Sequence, residues 1–334
     1  MAKLSREERE QIAETRILRA LGTLTVANQR TLEQKISDAG PYNQRIDPHI
    51  LTEVRNRLET EGAIATTQRL NAPWYYAGNT PSEVIERRLA EVLPVYKAYT
   101  DIGGRIGQVL EIATYRALCQ IPKADFSGRF RDLDSHDDST MYKKEEPQQH
   151  IGTRSLKGDV RLDFIMRTSD AGPLGLECKN VRHWMYPHVE EISETLDKCL
   201  SLDAVPVLIA RRIPFATFAV FSKCGIIFHQ TYNQLFPASF AELASKVSNK
   251  NLLGYHDIRV GNAPDARLLK FITVNLATIA ADARAKFEAH KDLLEPYANN
   301  EMPYDEFAGR VLRRWRGQNE DGLRVDVPKS YKLT

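Results

Sequence analysis

The chain has 334 residues, which is enough for two domains. Its composition, 42% hydrophobic and 27% charged, is ordinary for a globular protein, and no apolar run is long enough to cross a bilayer, which argues against a membrane protein. A net charge of +2 is too small to indicate nucleic-acid binding, so any basic surface must be local. The charged N-terminus, MAKLSREERE, lacks the apolar core of a secretory signal and predicts a cytoplasmic protein.

The first eighty residues have the pattern of three helices followed by a β-hairpin. Capping boxes at Ser5 and Thr31 predict the starts of two helices, and Asp47 followed by Pro48 predicts the start of the third. Residues 63–78, AIATTQRLNAPWYYAG, predict two short strands around a turn. This order is typical of a winged helix, which we predict over residues 1–80.

A winged helix usually places its third helix in the major groove of DNA and its hairpin on the phosphate backbone. Arginine side chains suit both guanine edges and phosphates. The candidate DNA contacts around the third helix and at the tip of the hairpin are Gln44, Arg45, Arg55, Asn56, Arg57 and Arg69. The alternative is a winged helix that binds another protein or dimerises.

A domain boundary is predicted at GNTPSE, residues 78–83, because Gly, Pro and Ser cluster there. Ser82 then caps a helix through EVIERRLAEVLPVYKAY, which Pro94 is expected to kink or end. We predict a linker helix over residues 81–103 and a second domain over residues 104–334.

The second domain opens with a helix pattern, GRIGQVLEIATYRALCQI, in which Glu111 lies near the buried edge. A long polar insertion follows, residues 123–157, which we expect to be a functional or disordered loop. Arg129 and Arg131 lie among its aromatic residues and are further candidate DNA contacts. Its aspartates lack the spacing of a calcium loop, which favours a solvated acidic turn.

Residues 158–180, GDVRLDFIMRTSDAGPLGLECKN, read as two strands joined by a turn. Side chains alternate between the faces of a strand, so Glu177 and Lys179 point the same way, and a hairpin sets Asp163 beside Glu177. Two carboxylates can hold Mg²⁺, and a nearby lysine can assist phosphodiester hydrolysis. The alternative is a surface hairpin with a fortuitous Glu/Lys pair.

A helix pattern over residues 188–204 and strand patterns over residues 205–211 and 224–230 complete the core. Together with Gly107-x3-Glu111-x6-Leu118, Asp163 and Glu177-x-Lys179, this order closely resembles the PD-(D/E)xK nuclease superfamily across residues 104 to 236. The resemblance implies an α/β (α+β) fold with a restriction-endonuclease-like αβββαβ core, here followed by a C-terminal helical extension.

Carried onto these positions, the family pattern implies that Asp163 and Glu177 are metal ligands and that Lys179 is the catalytic lysine. Glu111 is the implied accessory acid, which reaches the metal through water. The implied cofactor is Mg²⁺, for which Mn²⁺ can substitute. Leu162 replaces the proline of the family pattern. Asp159 is also a candidate first acid, because it lies on the same strand face four residues earlier, about 13 Å away at strand rise, although a tight hairpin favours Asp163.

Residues 264–296 predict one long amphipathic helix, with Leu268, Phe271 and Ile279 among its apolar residues. Such a helix can complete the fold or form a two-fold interface, and an enzyme that cuts both strands commonly works as a homodimer. The basic residues around Trp315 could contact phosphates, and the alternative is a surface helix anchored by this one tryptophan.

These patterns predict a Mg²⁺-dependent endonuclease of double-stranded DNA, most similar to a type II restriction endonuclease. A nuclease of repair, junction resolution or transposition has the same chemistry and remains an alternative. The alternative that is not an enzyme is a winged-helix regulator that binds DNA without cutting it.

Overall fold

The computed structural model describes residues 4–38, 46–131 and 133–320. The chain is mixed α and β and divides into two compact units. The first comprises the described residues up to Gly103 together with Phe240–Ile258, and the second comprises Gly104–Ser239 and the described residues from Arg259 onward. The segment Phe240–Ile258, which we had assigned to the second domain, thus groups with the first. None of the described helices is long and apolar enough to cross a membrane.

The α-helices of the described residues are, in chain order, α1 (Arg6–Leu24), α2 (Gln29–Ile36), α3 (Pro48–Thr60), α4 (Ser82–Asp101), α5 (Gly103–Leu118), α6 (Glu190–Leu202), α7 (Phe215–Phe221), α8 (Ala241–Ser248), α9 (Ala266–Lys270), α10 (Leu276–Glu288), α11 (Lys291–Ala298) and α12 (Tyr304–Trp315).

The β-strands are β1 (Val26–Asn28), β2 (Ile64–Arg69), β3 (Ala72–Ala77), β4 (Asp125–Ser127), β5 (Arg129–Phe130), β6 (Lys144–Glu145), β7 (His150–Ile151), β8 (Arg154–Ser155), β9 (Phe164–Thr168), β10 (Gly172–Lys179), β11 (Val205–Ala210), β12 (Ile227–Gln230), β13 (Gln234–Phe236) and β14 (Ile258–Val260).

In the first unit, α1, α2 and α3 pack with an antiparallel sheet of order β1-β3-β2. The capping box at Ser5 forms as predicted. The second helix begins earlier than predicted, since Asn28, rather than Thr31, is its N-cap and accepts a hydrogen bond from the Thr31 amide at 2.8 Å. Leu70 and Asn71 turn the β2–β3 hairpin with positive φ, a conformation that asparagine tolerates well.

Helix α4 is part of the core of the first unit and not a free linker. Its apolar residues Leu89 and Val92 form one hydrophobic cluster with Trp74 of β3 and with Leu253 and Tyr255 of the returning segment. Pro94 lies inside the helix without ending it. Burial of the apolar face therefore outweighs the hydrogen bond that the proline removes.

The second unit is built on a five-stranded sheet of order β12-β11-β10-β9-β4. Strands β4, β9 and β10 are antiparallel neighbours, and β10, β11 and β12 are parallel, with α6 connecting β10 to β11. Every residue of β11, Val205–Ala210, is buried, which is usual for a central parallel strand covered on both faces. In the strand order of this sheet, β10 is the central strand.

Three predictions in the second unit are corrected. The first strand of the hairpin begins at Phe164, so residues 160–163 precede it. The polar insertion contributes β4 to the main sheet and forms two small two-stranded sheets, β5–β6 and β7–β8, so it is not structureless. The long helix predicted over residues 264–296 is interrupted by a π-helical segment, Phe271–Asn275, and α10 ends at Glu288. The π turn shifts the buried face, and Ile279 is 39% exposed.

Candidate active site

The register of the central hairpin brings the predicted acids together. Leu176 of β10 pairs with Phe164 of β9, so the preceding residue Asp163 lies opposite Glu177, and directly opposite residues in an antiparallel pair share a face. The Asp163 carboxylate accepts a hydrogen bond from the Cys178 amide at 2.6 Å, and the Asp163 amide donates to the Leu176 carbonyl at 3.1 Å. These bonds hold Asp163 against the C-terminal end of β10.

Glu177 is buried, at 2% exposure, between two lysines. Its carboxylate lies 3.1 Å from the Lys179 Nζ and 2.7 Å from the Lys198 Nζ of α6. Burial raises the pKa of Glu177, and the negative charge of Asp163 raises it further, although both lysines oppose the shift. Burial alone disfavours the charge on Lys179, yet Glu177 and Asp163 raise the pKa of that lysine above its ordinary value.

A second cluster adjoins the first on the other side of Asp163. The Lys144 Nζ of β6 lies 2.6 Å from Glu111 of α5, 3.5 Å from Asp163 and 3.4 Å from Glu146. The Lys144 side chain is only 6% exposed, and its ammonium lies 5.0 Å from the centre of the Phe164 ring. Burial and the negative charge of Asp163 raise the pKa of Glu111 to about 7.

Lys144 and Lys198 were not predicted from the sequence. Lys198 follows Thr195 and precedes Leu202 at helical spacing, and both of these neighbours are buried. A charged residue on that stripe could have indicated a buried partner. Lys144 lies on a two-residue strand of the insertion, which is too short to show any periodicity. The structure thus places the ammonium groups of two lysines, from distant parts of the chain, in contact with the predicted acids.

The carboxylates of Glu111, Asp163 and Glu177 are the ligand type that Mg²⁺ prefers. As arranged, no three acidic, histidine or cysteine residues among the described residues form a group that could hold a metal ion. Lysine ammonium groups contact these acids instead. The donor chemistry and the repulsion between Asp163 and its acidic neighbours fit a hard divalent cation, provided that the lysine contacts rearrange.

The rival first acid, Asp159, lies outside both clusters. Its side chain is 97% exposed, and it pairs with Arg161 at 3.4 Å. The structure therefore brings Asp163, and not Asp159, to Glu177, Lys179 and Glu111.

The predicted DNA contacts of the first unit are in different environments. Gln44 and Arg45 lie outside the described residues. Arg55 is 2% exposed, with its guanidinium 4.8 Å above the Tyr75 ring, so it faces the interior of the unit. Asn56 and Arg57 are exposed, and Arg57 pairs with Glu14 at 2.8 Å.

The remaining predicted contacts also have partners within their own unit. In the first unit, Arg69 pairs with Glu86 at 2.9 Å. In the second, Arg131 pairs with Glu145 at 2.9 Å, and the Arg129 guanidinium lies 5.6 Å from the centre of the Phe126 ring. Both of these insertion arginines are exposed, so only their local pairs would have to open for a phosphate to bind.

No family model, curated protein or solved structure matches this chain.

Proposed function

We propose that the protein is a Mg²⁺-dependent endonuclease that hydrolyses phosphodiester bonds in double-stranded DNA, most similar to a type II restriction endonuclease. The observation that carries this proposal is the position of Asp163, directly before β9, opposite Glu177 of β10, with Lys179 two residues beyond Glu177. Two carboxylates and an ammonium on one face are the groups that metal-assisted phosphodiester hydrolysis needs.

The order of elements supports the same proposal. Helix α5 precedes three antiparallel strands, β4, β9 and β10, and α6 then leads to the parallel strand β11. This is the order expected of an αβββαβ nuclease core. The acids lie where β9 begins and where β10 ends, so a substrate phosphate could approach the ends of these strands rather than the covered faces of the sheet.

In the proposed reaction, Asp163 and Glu177 would hold the cation, with Glu111 as the accessory acid beside them. When bound, Mg²⁺ would supply a water of lowered pKa and neutralise charge on the phosphoryl oxygens. Lys179 keeps its proton, since nearby acids raise its pKa. Its ammonium therefore orients the attacking water or stabilises the negative charge that develops on the phosphate.

The first unit is the proposed reader of DNA, through a winged-helix arrangement of α1, α2, α3 and the β2–β3 hairpin. Asn56 and Arg57 are the exposed polar residues of α3 that support this role. We further propose a cytoplasmic homodimer, because two symmetric sites would cut the two strands of a duplex.

Incubation of the purified chain with plasmid DNA tests the proposal. We expect cleavage with Mg²⁺ or Mn²⁺, none with a chelator, and none by Lys179→Ala, which should still bind DNA. Lys157→Ala is the matched control because Lys157 is exposed, and it should cut normally. Discrete fragments indicate restriction, whereas preference for branched or nicked DNA indicates repair. DNA binding without metal-dependent cleavage by the wild type would overturn the proposal in favour of a regulator.

A further inference from the structure

The Lys144 ammonium lies between two acids of the proposed metal site. It contacts Glu111 at 2.6 Å and Asp163 at 3.5 Å, and 94% of its side chain is shielded from solvent, since 6% is exposed. Glu146 adds a third carboxylate at 3.4 Å. One positive charge thus contacts three acids, of which Glu111 and Asp163 are mostly buried and Glu146 is 46% exposed.

This arrangement is more than a surface ion pair. Glu111 and Asp163 are close enough to repel one another, and burial removes the water that would otherwise screen them. Withdrawing a cation from such a group leaves buried charge without compensation. A positive charge is therefore needed between these acids whether or not a metal ion is bound.

The position of Lys144 in the fold would allow its ammonium to move away. It belongs to a two-residue strand that forms a separate two-stranded sheet with β5, at a distance of 33 residues in sequence from Glu111. A lysine side chain carries a compact charge on a flexible four-carbon stem, so its contacts do not require one fixed orientation. A change of its rotamer would therefore break the contacts with the acids without breaking the ladder hydrogen bonds between β9 and β10.

We infer that Lys144 is an internal counter-ion that competes with the divalent cation for Glu111 and Asp163, and so sets the metal concentration at which the site fills. This inference rests on the proposed function, because it takes those two acids as part of the metal site. In the metal-free protein Lys144 compensates the acids, and metal binding requires its displacement.

Titration of the full chain with Mn²⁺, with free Mn²⁺ followed by electron paramagnetic resonance, tests the inference without an activity assay. Lys144→Met should bind Mn²⁺ about tenfold more tightly than the wild type, since the competing charge is gone. Lys143→Met removes the same charge from the adjacent exposed residue and should leave Mn²⁺ affinity unchanged. Lys144→Arg keeps the charge and should remain within about twofold of the wild type.

Thermal melting provides the second readout. In chelator, Lys144→Met should melt at a lower temperature than the wild type, and saturating Mn²⁺ should restore much of that loss, because a ligand that binds only the folded state stabilises it. If Lys144→Met does not fold, Lys144→Gln, which retains a hydrogen-bond donor, carries the same expectation of tighter Mn²⁺ binding.

Wild-type binding of Mn²⁺ combined with equal or weaker binding by the neutral variants would overturn the inference and leave the metal site standing. Failure of the wild type and the neutral variants to bind Mn²⁺ would overturn both the metal site and the inference.

Discussion

The Arg57–Glu14 pair of the first unit and the acids and lysines around Asp163 in the second unit differ in what surrounds their charges. In the first unit, Arg57 and Glu14 form an ion pair on the surface, and such pairs contribute about 0–1 kcal/mol to stability. In the second unit, Glu177 and Lys144 are almost completely buried, and desolvation costs several kcal/mol for each ion. Charges kept at that cost point to a function more strongly than exposed charges do. The comparison therefore favours the buried acids and lysines around Asp163, rather than exposed arginines such as Arg57, as the proposed active site.

The sharpest test of this comparison uses two aspartates that are four residues apart. Asp163→Asn should lower Mg²⁺-dependent cleavage about a thousandfold, because it removes a proposed ligand from the charge-stabilising site. Asp159→Asn should cut DNA at nearly the wild-type rate, since Asp159 is exposed and lies outside the cluster. Initial rates on plasmid DNA measure both effects. Equal losses in the two variants would contradict the assignment of Asp163.

A second pair of substitutions compares buried and exposed ion pairs directly. Arg105→Met removes the partner of Asp138 in a buried pair of the second unit, and we expect a loss of about 3 kcal/mol in the free energy of unfolding. Arg57→Met removes the exposed pair with Glu14, and the loss should stay below about 1 kcal/mol. Urea unfolding curves give both values. Similar midpoints for the two variants would mean that burial is not what distinguishes these charges.

The pH dependence of stability provides a third test. The pKa of Glu111 is raised to about 7 in the folded chain from an ordinary value of 4.5, so between these values the folded state binds more protons at this residue than the unfolded state does. This contribution to stability is present below about pH 4.5 and is lost as the pH rises through 7, a change on the order of 3 kcal/mol.

Urea midpoints measured in chelator should therefore fall for the wild type between pH 5 and pH 7.5, and Glu111→Gln should reduce that fall. A wild-type midpoint that rises with pH over this range, together with an unchanged slope in Glu111→Gln, would show that Glu111 is ionised in the folded state throughout.

The smallest expected effect concerns the first unit. Arg57→Ala should weaken DNA binding a few-fold and lower the slope of log affinity against log salt by about 1, as expected for one lost phosphate contact. Fluorescence anisotropy at several salt concentrations measures both quantities. Glu14→Gln is the matched control, because it frees the arginine from its partner and should not weaken binding. An unchanged slope in Arg57→Ala would remove this residue from the proposed DNA surface.

Local patterns in the sequence predicted much of the secondary structure and the meeting of Asp163 with Glu177. Caps, turn residues and alternation act over a few positions, so they can be read directly from residues 158–180 and from α1 and α3. The partners of the acids could not be predicted in that way. Lys144 and Lys198 lie 33 residues from Glu111 and 21 residues from Glu177, and only the packing of the whole unit brings each pair together.

The same limit explains the remaining misassignments. The cation–π contact of Arg55 with Tyr75 depends on how α3 packs against β3, because the periodicity of α3 alone does not show which neighbour its arginine meets. The grouping of Phe240–Ile258 with the first unit depends on contacts across more than 150 positions, since Leu253 packs with Leu89.

The grouping of Phe240–Ile258 with the first unit affects the order in which the protein can fold during synthesis. Val247, Leu253 and Tyr255 complete the hydrophobic cluster around Trp74, so a fragment ending at Gly103 would expose apolar surface that is normally covered. We therefore expect the first unit to complete this cluster only after Tyr255 has been synthesised, by which time all strands of the five-stranded sheet are present in the nascent chain.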